Sequence, residues 1–237
     1  PNPLHAMARL LAGLHDEQGR VTLPGFYDKV RPLSDREREL MGRVPFDEQE
    51  WLAGPAASRT ATGEAGFSTL ERIGARPTAE VNGLWGGYTG PGHKTIIPAE
   101  AHAKISFRLV PDQAPADIAD QVRAWVDQRL SEGVTADVRV GKAGVAPCAS
   151  DLDSPGMAAL RRAIARAWDG DPDDVLYLRE GGSGPEAVLV ERLGAPLLFL
   201  GAMLPTDRIH APNERVLLPM LHRGAEAAAH LWRELAG

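Results

Sequence analysis

Apolar side chains recur at helical spacing at the start of the chain, where Asn2 and Pro3 have the residue types of a helix cap and first helical position. The apolar positions of this predicted helix are Leu4, Met7, Leu11 and Leu14, and Gly19 is its expected end. Residues 21–26 are predicted to form a short strand. Residues 27–76 are charged and irregular apart from a helical stretch at 35–40, so we interpret them as an insertion on a sheet.

The clearest strand pattern lies at residues 101–109, where apolar and polar side chains alternate with a period of two. An amphipathic helix is predicted next, with Pro115 near its start and Trp125 on its apolar side, and residues 134–140 alternate again. Helix, strand, strand, helix and strand make most of a split βαβ, ferredoxin-like domain that lacks its first strand. That strand would precede Pro1.

The pattern changes after Cys148. A helix is predicted from Ser154, and a last helix from about Pro219. Residues 175–178 and 196–200 are short continuous apolar runs, typical of strands buried on both faces, with a helix between them that ends near Gly194. The pattern therefore predicts α/β and α+β architecture, with most of a ferredoxin-like domain before Cys148 and the tail of a parallel α/β sheet after it.

Composition narrows the class of protein. A chain of 237 residues with 43% hydrophobic and 24% charged residues is typical of one large globular domain or two ordinary ones. A net charge of −6 argues against nucleic-acid binding, which needs a basic face. We expect no membrane span, because no apolar run reaches about 18 residues, and we see no signal peptide. Cys148 is the only cysteine, which excludes an internal disulfide, and the cytoplasm is the expected compartment.

The glycine-rich stretch at 179–185 could carry chemistry, because it lies between a predicted buried strand and a helix. Ligands bind at the carboxyl ends of strands in open α/β sheets, and glycines let backbone N–H groups approach an anion. Glycine content alone equally favours a flexible turn. A serine hydrolase is disfavoured, because Pro185 replaces the last glycine of a nucleophile elbow around Ser183.

Three further side chains are candidates from their positions. His210 follows the apolar run at 196–200 by a loop, although a lone loop histidine is more often only exposed. Arg108 lies on the polar face of the predicted strand, where it could bind a carboxylate through two hydrogen bonds or simply be solvated. Thr95 ends the loop that precedes this strand.

In their order along the chain, several motifs resemble the co-catalytic zinc peptidase family of carnosinases and other dipeptidases, acetylornithine deacetylase, aminoacylase and glutamate carboxypeptidase. The matching stretches are Pro-Asn-Pro at 1–3, Gly-Phe-Tyr-Asp at 25–28, Gly-Gly at 86–87, Lys-Thr-Ile-Ile-Pro at 94–98, Ser-Phe-Arg-Leu-Val-Pro at 106–111, Arg-Glu-Gly-Gly-Ser at 179–183 and His-Ala-Pro-Asn-Glu at 210–214. The elements at 25–28 and 94–98 look most like the carnosinase-type branch.

The resemblance implies roles for single residues. His210 would be the last zinc ligand, and Arg108 and Ser183 would hold the substrate's terminal carboxylate. Residues 1–145 would form a lid domain that makes a homodimer, and residues 146–237 the C-terminal end of the catalytic zinc domain. Thr95 would reach the partner subunit's site across this homodimer. Glu180 matches a motif carboxylate near the site, and Gly182 lies in the same motif. Gly184 departs from the family pattern, where a branched aliphatic residue is common.

The family's other zinc ligands and its catalytic glutamate precede the lid, and none is in this sequence. Two zinc ions need about four ligands each, which one histidine cannot supply. We therefore expect part of a zinc-dependent hydrolase of dipeptides or N-acyl amino acids that is inactive alone. The alternative is a stand-alone dimerisation or ligand-binding module.

Overall fold

The computed structural model describes residues 1–141, 144–181 and 184–236. Its contacts divide the chain into two units, which we describe separately. The first unit comprises Pro1–Pro32, Thr62–Cys148 and Glu180–Gly184, and the second comprises Leu33–Ala61, Ala149–Arg179 and Pro185–Gly237. Within the described ranges, no helix has both the length and the apolar character needed to cross a bilayer.

Helices dominate the secondary structure of both units. The elements are α1 (Pro3–Ala12), α2 (Asp35–Gly42), α3 (Glu48–Ala53), α4 (Thr69–Gly74), β1 (Thr78–Gly86), β2 (Ala101–Arg108), α5 (Pro115–Arg129), α6 (Pro155–Ala167), α7 (Glu186–Leu193) and α8 (Leu218–Ala236). Two short 3-10 turns occupy Pro172–Asp174 and Pro205–Asp207.

The predicted start of α1 is confirmed, but its predicted end is wrong. The Asn2 side chain accepts a hydrogen bond from the Leu4 backbone N–H at 2.9 Å. The helix closes at Gly13 and not at Gly19, because the chain turns there and buries Leu14 in the core with 1% of its surface exposed. Tertiary burial of one side chain thus ends the helix before the glycine does.

An antiparallel hairpin of β1 and β2 forms the sheet of the first unit. Thr78 lies opposite Arg108 and Gly86 opposite Ala101, with a bulge between Val81 and Gly83. The predicted alternation at residues 101–109 is confirmed through β2, where Ile105 and Phe107 pack against the core. The strand β1 was not predicted, because its apolar residues do not alternate regularly through the bulge.

The core of the first unit lies beneath this hairpin and α5. Its buried members are Leu14, Val21, Leu23, Phe26, Ala79, Ile118, Trp125 and Val126. Polar groups at its edge are paired: the Trp125 indole N–H donates to Thr22 Oγ1 at 3.0 Å, and the buried Gln113 amide bridges the Val110 N–H and the Phe26 carbonyl. These bonds fix α5 and the turns at 21–26 to the same core.

A buried carboxylate, that of Glu64, fixes residues 62–76 to the other parts of the first unit. Glu64, with 5% of its side chain exposed, accepts two hydrogen bonds from the Arg76 guanidinium at 2.7 and 2.9 Å and one from Arg20 at 2.8 Å. The Arg20 guanidinium also lies 4.2 Å from the centre of the Tyr27 ring. The cluster fixes the segment that leads into α4.

Several predicted strands are wrong. Residues 21–26 form turns with only an isolated bridge between His15 and Val21. Residues 134–140, 175–178 and 196–200 are in neither strand of the described sheet, and Leu178 and Phe199 are each about half exposed. Strands take their hydrogen bonds from neighbours, and the described part of the chain provides no paired neighbour for these segments. Alternation and apolar runs indicate which side chains favour a strand, but they do not identify a neighbouring strand with which the segment can pair.

The second unit is organised around α6 and α8, which pack against each other. Ala163, Ala167 and Ala227 are fully buried, and these small side chains let the two helices approach closely. At the helix surface Glu234 pairs with Arg162 and Arg166, and the hydrogen bond from Arg162 holds the pKa of Glu234 below its usual value. The predicted starts of both helices are confirmed.

Candidate functional site

The connection between β1 and β2 carries Thr95, which is exposed. Beside it, a groove of about 370 Å³ is lined by Trp85, Gly86, Gly87, Ile96, Pro98, Ala99, Glu100 and His102. The Trp85 and His102 rings stack with centroids 4.9 Å apart, and His102 Nε2 lies 3.4 Å from the Glu100 carboxylate. Thr95 is therefore next to a residue, Ile96, that lines a groove of mixed aromatic and polar character.

Arg108 is the last residue of β2 and lies on its exposed face together with Lys104 and Ser106. Its strand neighbours Ile105 and Phe107 point to the core side. The guanidinium is consequently held on a rigid strand with its base fixed by pairing to Thr78. The predicted orientation of the side chain, on the polar face of the strand, is the observed one.

Arg179 and Glu37 form an ion pair in the second unit, with about a fifth of each side chain exposed. Burial alone would raise the pKa of Glu37. The backbone N–H of Ser34 and the Arg179 guanidinium oppose this, and the net result is a pKa below the usual carboxyl value. Arg179 is the first residue of the predicted glycine-rich stretch at 179–185, so the pair anchors the start of that stretch.

Glu180 and Gly181 belong to the first unit, where Glu180 is exposed. A Cβ at Gly181 would lie 2.5 Å from the carbonyl oxygen of Ile73, at the end of α4, so no larger residue fits there without a backbone shift. Gly182 and Ser183 lie outside the described residues. After them, α7 begins at Glu186, which places a helix where the sequence predicted one.

His210 is exposed in a loop of the second unit and has a left-handed backbone, with φ of +62°. Arg208 and Asn213 share this conformation, with φ of +58° and +65°. Non-glycine residues adopt it at a cost, and such residues cluster at functional sites. The loop is anchored by Asp207, whose side chain is fully buried.

The candidate residues fall into both units. Thr95, Arg108 and Glu180 belong to the first and His210 to the second. Among the described residues, no group of three or more histidine, cysteine or acidic side chains is arranged to hold a metal ion. His210 fits the chemistry of a single zinc ligand, and a complete zinc site needs further donors.

Sequence reasoning missed two side chains that anchor candidate residues: Glu37, which pairs with Arg179, and Asp207, which anchors the loop of His210. The Ser34-x-x-Glu37 spacing is that of a capping box, a local signal for the start of α2, and Glu37 forms that box. Its second bond, to Arg179, spans 142 positions and leaves no local signal. Nothing in the pattern around Asp207 distinguishes it from an exposed turn residue.

Comparison with known proteins identifies the class. Residues 1–134 match the family model of the M20 peptidase dimerisation domain, so the chain belongs to the M20 metallopeptidase family. The predicted family and its mixed α/β fold class are thereby confirmed. An M20 family metallo-carboxypeptidase from Sulfolobus solfataricus superposes with a TM-score of 0.80 and 27% identity, over 98% of this chain and 52% of that one.

Two further relatives are dipeptidases. A Cys-Gly metallodipeptidase of Candida albicans is 29% identical over 221 residues, which cover 90% of this chain and 44% of the relative. The structure of human carnosine dipeptidase 1 gives a TM-score of 0.75 with 25% identity over 99% of this chain and 49% of that one. The chain thus spans about half the length of the curated relatives it matches.

Proposed function

We propose that this chain forms the lid (residues 1–145) and the C-terminal part of the catalytic domain (146–237) of a zinc-dependent dipeptidase. The observation that carries the proposal is the match to the peptidase dimerisation domain together with similarity to dipeptidases over 90–99% of the chain. The relatives are named for Cys-Gly and β-Ala-His, and both dipeptides end in a free carboxylate. One change of unit, after Cys148, falls near the proposed boundary, while Leu33–Ala61 group with the second unit.

The substrate carboxylate is the group that Arg108 and Ser183 would bind. A guanidinium binds a carboxylate through two parallel hydrogen bonds, and a strand gives it a fixed direction. The position of Arg108 on the exposed face at the end of β2 supports this role. Glu180 and Gly182 would complete the surroundings of the substrate through the glycine motif.

His210 would supply one ligand to one zinc ion. Bound zinc provides Lewis-acid polarisation of the scissile carbonyl and lowers the pKa of water. His210 and Asp207 set the loop geometry on this chain's side, while the remaining ligands and the general base must come from residues outside this sequence. The 237-residue chain by itself would therefore not turn over peptides.

A homodimer would form through the lid, with Thr95 serving the partner's site. Large apolar side chains on the hairpin are about half exposed or more, among them Leu84, Trp85, Ile96 and Ile97. Such a surface is typical of protein contacts. A position on the exposed connection between β1 and β2 suits a residue that reaches across to a second copy.

The test compares two proteins: the 237-residue chain and the product of the complete reading frame that contains it. Both are assayed with zinc on Cys-Gly and β-Ala-His. We expect hydrolysis by the longer product only. Turnover by the chain alone within about tenfold of a typical enzyme's roughly 10 s⁻¹ would contradict the proposal. A reading frame that begins near Pro1, with no hydrolysis, would instead favour a stand-alone dimerisation or ligand-binding module.

A further inference from the structure

The loop that carries His210 is built around one buried carboxylate. Asp207 has 0% of its surface exposed. It is an acidic residue among the largest fully buried side chains of the described residues. Its carboxylate Oδ2 accepts a hydrogen bond from the Leu204 backbone N–H at 2.9 Å. Its backbone N–H donates to the Leu204 carbonyl at 2.9 Å, and its own carbonyl accepts the Arg215 N–H at 3.0 Å. One residue thus ties together both ends of the segment 204–215.

The backbone between Asp207 and Arg215 has an unfavourable conformation at three residues. Arg208, His210 and Asn213 all have positive φ, a conformation that is uncommon for non-glycine residues and is tolerated better by Asn and His than by Arg. Two backbone bonds add support inside the loop, from Ala211 N–H to the Arg208 carbonyl and from Glu214 N–H to the Ala211 carbonyl. A strained conformation persists only where the surrounding structure imposes it. The ties at Asp207 close the loop and so impose this one.

The second carboxylate oxygen of Asp207, Oδ1, has a different environment from Oδ2. Within the described structure, Asp207 Oδ1 is buried and accepts no hydrogen bond, and it lies 3.8 Å from Nε of Arg215, whose side chain is 58% exposed. A buried carboxylate that is only partly satisfied is unfavourable for stability. The described contacts of this carboxylate lie within the loop, at Leu204 and Arg215.

We propose that Asp207 is a positioning residue for His210: its side-chain bond to Leu204 fixes the turn from which the loop starts, its backbone carbonyl closes the loop at Arg215, and together they hold the His210 backbone in the left-handed conformation that presents the imidazole. The proposal rests on the proposed function only for the identity of what His210 binds. The backbone effect is independent of any metal.

The test uses the full 237-residue chain and three variants. Asp207→Ala removes the acceptor, Asp207→Asn keeps a carbonyl oxygen for the Leu204 N–H, and Asp174→Ala is the matched control. Asp174 is also the last residue of a Pro-x-Asp 3-10 turn with the same backbone bond, but its side chain is exposed. Amide hydrogen exchange at Leu204 and Arg215, and NMR shifts that report φ at His210, are the readouts, with amides in α6 and α8 as internal references.

In Asp207→Ala we expect exchange at Leu204 and Arg215 to accelerate about tenfold or more, and the left-handed signature at His210 to decline, while α6 and α8 keep their protection. Asp207→Asn and Asp174→Ala should leave Leu204 within about threefold of the unmodified chain. Acceleration at Leu204 with an unchanged Arg215 and His210 would overturn the proposal. If the alanine variant fails to fold, the asparagine variant still tests the proposal. Amide exchange at Leu204 that is about tenfold faster in Asp207→Asn would contradict the assigned hydrogen bond.

A zinc chloride titration followed on the His210 ring signals separates this inference from the proposed function. We expect these signals to respond in the unmodified chain and to need about tenfold more zinc in Asp207→Ala. Silent His210 signals in the unmodified chain would count against the zinc role alone, since the exchange data decide the role of Asp207 without any metal. An equal zinc response in both proteins would show that the loop conformation does not matter for binding.

Discussion

Replacing Glu64 by glutamine should destabilise the first unit far more than removing an ordinary surface charge. The substitution keeps the shape of the side chain but removes the charge that faces Arg20 and Arg76. Glutamine's carbonyl oxygen can serve only part of the three bonds, and its amide nitrogen would face a guanidinium that has no acceptor. Arg76, with 10% of its side chain exposed, would lose its bidentate partner in a nearly dry environment.

The magnitude follows from burial. Breaking a buried ion pair by removing one partner costs about 3–5 kcal/mol, and the Glu64–Arg76 pair fits that case. The Arg20 side chain is 46% exposed, so its bond is screened and contributes about 1 kcal/mol or less. We therefore expect Glu64→Gln to lower the free energy of unfolding of the first unit by about 3–5 kcal/mol and Arg20→Gln by about 1 kcal/mol or less.

The assay must report on the first unit alone. The Trp125 indole N–H is buried there and bonded to Thr22, so its NMR signal and exchange rate follow this unit during urea unfolding. Amides of α6 and α8 serve as the reference for the second unit. Equal and small effects of Glu64→Gln and Arg20→Gln would refute the reasoning, and would assign the cohesion of residues 62–76 to stacking of the arginines on aromatic rings.

Four other outcomes are expected. The pKa of Glu37 is lowered in the folded chain, so its pairing with Arg179 contributes stability above the unfolded carboxyl pKa of about 4.3 and loses this contribution as the pH falls further. In urea unfolding, the loss of unfolding free energy caused by Arg179→Gln should therefore be full at pH 6 and smaller in acid. A loss that does not depend on pH would contradict this. In the complete enzyme, Arg108→Lys should reduce kcat/KM roughly tenfold or more on free dipeptides and hardly at all on their C-terminal amides, and an equal loss on both would assign Arg108 to the strand or the dimer. Light scattering at micromolar concentration should show self-association of the chain, whereas a strict monomer would argue against the proposed dimer. Arg208→Gly should relieve left-handed strain and stabilise the second unit by up to about 1 kcal/mol in thermal unfolding, and a destabilised variant would mean that the backbone there is unstrained.

The sequence alone determined those features whose causes lie within a few residues. The cap at Asn2, the capping box of Ser34 and Glu37, and the left-handed Gly194 after α7 each involve groups no more than four positions apart. The starts of α6 and α8 and the alternation of β2 were predictable for the same reason. The order of motifs along the chain predicted the family, because motif spacing is itself a property of the sequence.

Only the tertiary structure decided which extended segments pair and which charges are buried. Residues 134–140 alternate as regularly as β2, yet β2 alone of the two has a partner, β1, in the described sheet. Asp207 and Glu64 have nothing local that marks them as buried, and Glu64 meets Arg20 across 44 positions. Strand pairing and charge burial depend on neighbours that are distant along the chain, and a pattern of single-residue preferences carries no information on which distant neighbour arrives.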